Sequence, residues 1–286
     1  AGGRHHFNDD RSEGKVMSLR NLPITLFVGA GIFLMWLVVA LCGPLLAGTD
    51  PNALNFDALL QRPNVSHLFG TDHLGRDILT RVIYAARIDI WMGFAGVLPA
   101  LMIGTLFGLM AGYFGGVVEA ILMRVTDITM AFPFFVLVLA IVAVLGPGLT
   151  NFFIAIATVG WVSYARLIRA EVLVVKNAEY VLAAKILGYH PLFIAFRHVL
   201  PNVLAPIIVY AMTDAVLVIL LGASLGFLGL GVQPPTAEWG VMIANGQPYV
   251  IEAWWICLFP GLATVILGLG FALLGDGLAK HLRITN

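Results

Sequence analysis

The 286-residue chain is 60% hydrophobic and only 11% charged, whereas about a quarter of the residues of a soluble domain carry a charge. Its mean hydropathy is +0.94, and its 16 basic residues balance 16 acidic ones. These values exclude a soluble enzyme domain and give no indication of nucleic-acid binding, so they predict a polytopic membrane protein.

The start of the chain divides into a polar tail and an apolar run. Residues 1–21 include four basic residues, and we expect them to form a flexible cytoplasmic tail. Residues 22–46 contain no charge and are longer than the apolar part of a signal peptide, so they predict a first membrane span. Cys42, near the end of this run, and Cys257 are expected to be free thiols.

A long external loop, residues 48–87, is expected next. Apolar residues after Arg76 share one helical face, which predicts a helix lying on the membrane surface. His67, Asp72 and His73 could be imagined as a metal site. No further ligand stands nearby at a matching spacing, so ordinary loop polarity is the favoured interpretation.

Three further spans are predicted, at residues 88–111, 120–145 and 151–167. Glycines recur every four residues from the second span onward, at Gly104, Gly108, Gly112 and Gly116. This spacing lays a smooth stripe along one helix face and favours close packing of another helix, although small residues are frequent in membrane helices generally. Pro99 and Pro133 are expected to kink the second and third spans.

A polar stretch, residues 168–202, interrupts the apolar second half of the chain. Apolar residues recur every three or four positions from Val175 to Ile186, which predicts a short amphipathic helix. Gly188 suits a left-handed helix end, and Pro191 prevents the helix from continuing. A compact helix–turn–helix between two spans is expected to be a docking segment.

The last two spans are predicted at residues 203–230 and 254–274, followed by a short tail at residues 279–286. Asp214 is the one ionisable residue that we place deep in a span. A carboxylate there costs about 3 kcal/mol or more in lipid, so it is expected to face a watery path or a partner. A protonated acid bonded inside the bundle is the equally open alternative.

The distribution of positive charge predicts the orientation. With both termini in the cytoplasm, 12 of the 16 lysine and arginine residues fall in inside segments. Because cytoplasmic segments are enriched in positive charge, an N-in, C-in topology is favoured. The docking segment then also lies on the cytoplasmic side.

The docking segment resembles the cytoplasmic coupling loop of ABC-importer permeases. It matches the motif of that family at Ala183, Ala184, Gly188, Leu200 and Pro201. It departs from the motif at Leu182 and His198, where the family usually has Glu and Ile. Whether Glu179, one turn before Leu182, substitutes for that Glu stays open.

Two other strings resemble the peptide and nickel subfamily of these permeases, namely GTDHLGRD at residues 70–77 and QPPTAEWG at residues 233–240. The resemblance implies an all-α type I importer permease fold with six transmembrane helices over residues 22–278, in a multi-pass protein of the bacterial inner membrane. The coupling residues that it implies are Glu179, Ala183, Ala184, Lys185, Gly188, Tyr189, His190, Leu200 and Pro201.

The resemblance also implies a function and a set of partners. The chain would form half of a path for di- or oligopeptides, with nickel, an opine, glutathione or a sugar as alternative solutes. Its partners would be a homologous second permease, two cytoplasmic ATPases that bind ATP and Mg, and an extracytoplasmic solute-binding protein.

Several motifs of enzymes are missing from the chain itself. It contains no phosphate-binding loop, no His-Glu-x-x-His and no Cys-x-x-Cys, so we expect no enzyme activity, metal or cofactor of its own. A secondary transporter is the alternative class. Such proteins usually show internal repeats and several membrane-embedded charges, whereas we find only Asp214, the candidate for the translocation path.

Overall fold

The computed structural model describes residues 23–285, so the predicted tail at residues 1–21 lies outside the described part of the chain. Ten α-helices form within this range: α1 Ile24–Ala47, α2 Ile78–Phe114, α3 Gly116–Met130, α4 Phe134–Leu145, α5 Leu149–Val175, α6 Glu179–Ile186, α7 Pro191–Ile194, α8 Leu200–Phe227, α9 Trp239–Gly246 and α10 Trp255–Thr285. The last helix therefore continues through most of the predicted C-terminal tail.

The predicted all-α membrane architecture is confirmed. Five helical stretches are long and apolar enough to cross a bilayer, namely α1, α2, α5, α7 with α8, and α10. The pair α3 and α4, bent by 83° relative to each other, meets the same requirement only when the two helices are taken together, which brings the number of candidate spans among the described residues to five or six. Residues 131–133 form the break, and Pro133 precedes α4, where its missing N–H group costs no helical hydrogen bond.

Two predictions about α2 require correction. The helix begins at Ile78, so the predicted surface helix and the predicted span at residues 88–111 are one continuous element. Its first turns do not lie on the membrane, because Arg81 is buried and donates to the Pro51 carbonyl oxygen at 2.9 Å. Pro99 lies inside the helix without ending it.

The glycine stripe of α2 packs against α5. A Cβ atom at Gly104 would lie 2.5 Å from the Trp161 carbonyl oxygen, and one at Gly108 would lie 2.5 Å from the Ala165 carbonyl oxygen. At Gly112 the nearest atom would be Cβ of Val172, at 2.8 Å. These approaches are shorter than any side chain permits, so only glycine allows the two backbones to lie this close.

Gly116 does not belong to this stripe, contrary to the sequence prediction. The α2 helix ends at Phe114, and Gly116 begins α3 with a φ of +54° and open space around it. The four-residue spacing is kept in the sequence, but the change of direction between α2 and α3 turns the fourth glycine away from α5.

The loop between α1 and α2, predicted to be external, is a folded structure that packs on the start of α10. The Nε1 atom of Trp255 donates to the carbonyl oxygen of Thr71 at 3.0 Å, and both residues are buried. Asp72 accepts from Nε of Arg76 at 2.6 Å, and this ion pair is almost completely shielded from solvent. Buried hydrogen bonds to charged groups are among the stronger polar contacts in proteins, so the loop has a defined shape.

The three side chains that could be imagined as a metal site have separate partners. Nδ1 of His67 lies 2.9 Å from Oδ2 of Asp77, and the ring of His73 stacks on Tyr249 with centroids 5.3 Å apart. Asp72 is held by the ion pair described above. Cys42 and Cys257 are free thiols.

Candidate coupling loop and membrane-embedded cavity

The helix α6 ends in a Schellman motif, in which the last carbonyl groups are satisfied by a left-handed turn. Gly188 has a φ of +80°, its N–H donates to the Lys185 carbonyl oxygen at 3.1 Å, and the Tyr189 N–H donates to the Ala184 carbonyl oxygen at 3.3 Å. Glycine adopts this φ without strain. The turn therefore fixes the direction in which the chain leaves α6.

The second arm of the loop starts immediately after this turn. The His190 side chain precedes α7 and accepts from the Leu192 N–H at 3.3 Å. Residues 195–199 form a π-helical turn that leads into α8 at Leu200. Pro201 lies in the first turn of α8, where no partner for its nitrogen is needed.

The loop has a buried side and an exposed apolar side. Val181 and Ala184 point inward and are almost completely buried, whereas Ile186 is 85% exposed and Leu187 is 74% exposed. Ala183 and Glu179 also face solvent, so the two alanines of the motif have different environments. Exposed apolar residues grouped in this way are typical of a surface that contacts another protein or a membrane.

Aromatic side chains extend this exposed surface beyond the turn. The rings of Tyr189 and Phe193 stack with centroids 5.3 Å apart. His198 meets the Phe193 ring edge to face at 5.7 Å. His198 replaces the isoleucine that the related motif has at this position, and here it completes an aromatic cluster.

Two lysines tie the loop to the C-terminal end of α2. Nζ of Lys176 donates to the Gly112 carbonyl oxygen at 2.8 Å, which satisfies one of the unpaired carbonyls at the end of that helix. Nζ of Lys185 lies 5.7 Å from the ring centroid of Tyr113, within the range of a cation–π contact. Through Lys185, α6 is thus in contact with α2, which packs closely against α5.

Ion pairs join α5 to α3 at the same end of the molecule. Nε of Arg169 donates to Oε1 of Glu119 at 2.7 Å, and Arg166 pairs with Asp127. The helices α2, α3 and α5 thus meet the coupling loop as one connected group.

Asp214 lies on α8 and borders a cavity. Its Oδ2 atom accepts from the Tyr164 hydroxyl of α5 at 2.8 Å, and the side chain is half-buried. The cavity has a volume of about 440 Å³, and its polar lining includes Ser163, Tyr210 and Ser224 besides Asp214. The sequence indicates the acid but not the tyrosine that holds it, because the two are 50 residues apart.

A second membrane-associated acid, Asp89 of α2, escapes the sequence prediction because it lies at the edge of a predicted span. Both Asp89 and Glu238 are completely buried. Glu238 caps α9 and accepts from the N–H groups of Gly240 at 2.7 Å and Val241 at 2.8 Å. Asp214 is therefore not the only buried ionisable group within the helices that span the membrane.

The side chains of Asp89 and Glu238 lie side by side. Oδ2 of Asp89 is 3.4 Å from the Trp239 nitrogen, directly after Glu238 in the chain. Burial raises the pKa of Glu238 above the usual value of a glutamate. Two adjacent buried carboxyl groups repel each other when both are charged. The contact between the Trp239 N–H and Asp89 joins α2 to the start of α9.

Comparison with known proteins identifies a matching family and several similar permeases. The family described as binding-protein-dependent transport system inner membrane component matches residues 104–283. The probable D,D-dipeptide transport system permease protein of Escherichia coli is 44% identical over 92% of this chain and 88% of its own length. The dipeptide transport system permease protein of Alkalihalophilus pseudofirmus is 44% identical over 89% and 84%.

A third relative is named for a different solute. The glutathione transport system permease protein of Pectobacterium atrosepticum is 39% identical over 89% of this chain and 85% of its own length. The family match covers the coupling loop and the helices on either side of it, including the Asp214 cavity. The chain therefore belongs to the family of binding-protein-dependent transport system inner membrane components.

Proposed function

We propose that this chain forms half of the translocation path of an ATP-driven importer of di- or oligopeptides, and that it receives the work of ATP hydrolysis through residues 171–202. The observation that carries the proposal is the coupling loop, whose apolar outer side is exposed while two of its lysines contact α2. We propose a peptide as the transported solute because two relatives at 44% identity are named for the transport of dipeptides.

As a member of its family the chain is a multi-pass inner-membrane protein and a transport subunit. The proposed partners are a homologous permease, two cytoplasmic ATPases and an extracytoplasmic solute-binding protein. ATP and Mg are proposed to bind the ATPases. The coupling contact is proposed to involve the exposed turn at Gly188 and Tyr189, together with Glu179 and Lys185 of α6. A ligand can drive a conformational change only if it contacts the two states differently, and the exposed loop offers such a contact.

The test is reconstitution of the chain with these partners in proteoliposomes. We expect dipeptide uptake that requires ATP on the side of the membrane that carries the ATPases, and dipeptide-stimulated ATP hydrolysis. Glutathione and nickel, added as competitors, are expected to compete less well than a second dipeptide. Uptake that proceeds without ATP would instead identify a secondary transporter. Uptake of nickel but of no dipeptide would identify nickel as the solute.

The proposed N-in, C-in orientation is tested by labelling single cysteines in a background that lacks Cys42 and Cys257. Val65 is 97% exposed at the surface of the first loop and is a better position than Asn64, whose side chain accepts from the Ser66 N–H at 2.8 Å. We expect a membrane-impermeant thiol reagent to label a cysteine at position 65 from outside.

A cysteine in place of Asn177, which is exposed beside α6, is the matched inside position. It is expected to react only after the membrane is opened. The reverse pattern at the two positions would overturn the proposed orientation.

A further inference from the structure

We infer that Asp214, Tyr164 and Tyr210 form a binding site within the membrane for the protonated amino terminus of the passing peptide. The inference rests on the proposed function, because it assigns a chemical role to one place on the proposed path. The ligand class is a primary ammonium group carried by a small zwitterionic peptide.

The first step of the argument concerns charge. Among residues 23–285, no lysine or arginine forms an ion pair with Asp214. Tyr164 donates to one carboxylate oxygen, Oδ2, and this bond leaves the second oxygen available to the cavity. A lone acid within the membrane is expensive unless it meets water or a cation, and a peptide ammonium group supplies that cation.

The second step concerns the position of the acid. Tyr164 is completely buried, and its ring contacts Tyr210 edge to face with centroids 5.1 Å apart. Its hydroxyl therefore holds Oδ2 from a rigid support on α5, while Tyr210 and Asp214, four residues apart on α8, both line the cavity. The electron-rich face of a tyrosine ring also attracts an ammonium group.

The third step concerns the cavity. Its volume of about 440 Å³ falls within the range of about 300–1,000 Å³ that small-molecule sites usually have. Ser163 and Ser224 lie on its wall, together with apolar side chains of α8 and Phe134 of α4. A dipeptide carries this combination of one cation, polar amide groups and short apolar side chains.

The fourth step concerns water. Phe134, the first residue of α4, lines the same cavity, so the 83° break between α3 and α4 lies beside it. A helix break frees backbone N–H and carbonyl groups, which lipid cannot satisfy. Broken helices at membrane depth are tolerated where they line a watery space, so the position of this break favours access of water to the polar side of the cavity.

The alternative is a structural acid that only joins α8 to α5 through Tyr164. Both interpretations use the same hydrogen bond, but they differ in what the charge does. If Asp214 is a structural acid, removing its charge lowers the stability of the complex and leaves the uptake of different solutes in the same ratio. If Asp214 binds the solute, removing its charge lowers uptake and leaves the stability of the complex unchanged.

The experiment uses the reconstituted importer with Asp214→Asn, which keeps the shape of the side chain and removes its charge. Asp276→Asn is the matched control, because Asp276 is exposed and paired with Lys280 away from the cavity. We expect uptake at subsaturating dipeptide to fall about tenfold for Asp214→Asn, the size of a lost hydrogen bond to a charged group. Uptake by Asp276→Asn, and the melting temperature of both complexes, are expected to stay at the wild-type values.

Unchanged uptake by Asp214→Asn would overturn the inference, and so would a lowered melting temperature with an unchanged ratio of uptake among peptides. If wild-type importer takes up no peptide at all, the proposed function fails instead. Peptide uptake by wild type that Asp214→Asn leaves unaltered removes only the present inference.

A second variant keeps the test decisive if Asp214→Asn assembles poorly. In Asp214→Cys, without the two native cysteines, a positively charged thiol reagent is expected to react from the cavity of the detergent-purified complex. Added dipeptide is expected to slow this reaction several-fold, whereas the same dipeptide with an acetylated amino terminus is not. Equal protection by both peptides, or no protection by either, would exclude an ammonium site at this position.

Discussion

Replacement of Gly188 by valine is expected to lower ATP-driven uptake at least tenfold while the chain still inserts into the membrane. At a φ of +80° a β-branched residue is strained by about 1–3 kcal/mol, so the turn is expected to leave the left-handed conformation. The two hydrogen bonds that end α6 are then lost, and the aromatic cluster around Tyr189 changes its orientation toward the proposed ATPase partners. The measurement is peptide uptake together with peptide-stimulated ATP hydrolysis.

Gly48 provides the matched control for this substitution. It has a φ of +61°, and a Cβ atom added there would meet no other atom within 4 Å, as is also true at Gly188. Gly48→Val therefore imposes a similar strain at the end of α1, and we expect it to retain stimulated ATP hydrolysis. Equal loss of activity in both variants would show that general strain, rather than the coupling turn, explains the result.

The second large effect is expected for Gly104→Val, which should prevent the chain from forming a stable complex with its proposed partners. The added side chain would overlap the Trp161 carbonyl oxygen and Cβ of Tyr164, and neither atom can rotate away. Overpacking of this kind costs about 3 kcal/mol, and here it would separate α2 from α5 along their whole contact. The measurement is the yield of purified complex and its melting temperature in detergent.

Gly261 of α10 serves as the control, because a side chain there meets no atom within 4 Å. Gly261→Val is the same change inside a helix, and we expect it to lower the melting temperature far less than Gly104→Val. If Gly104→Val forms a complex of normal stability, the close approach of α2 and α5 is not required for the fold. Loss of Tyr164 support in this variant is also expected to disturb Asp214.

Sequence and structure differ most informatively along α2. The sequence correctly indicates that apolar residues after Arg76 share one helical face, but it assigns that face to the membrane surface. The structure places it against the protein, since Ile78, Val82 and Ala86 of that face are buried. An amphipathic pattern indicates that a helix has an apolar side and does not indicate what covers that side.

The coupling loop shows the opposite case, in which local sequence is sufficient. Gly188 and Pro191 both act on the backbone of their own segment, so a helix end and a second helix can be predicted there without knowledge of the rest of the chain. The orientation of α6 cannot be predicted, because it depends on Lys176 and Lys185, which reach residues of α2 that are distant in the sequence.

The amino-acid sequence is enough to establish an all-α membrane protein with a polar turn between two spans. Lipid requires long apolar runs with all backbone hydrogen bonds made inside each helix, and that requirement is visible residue by residue. Which polar groups meet is settled in three dimensions: Asp214 with Tyr164, and Asp89 with Glu238. These pairs join segments from distant parts of the chain. Their formation depends on how whole helices pack, and a local sequence pattern does not predict that packing.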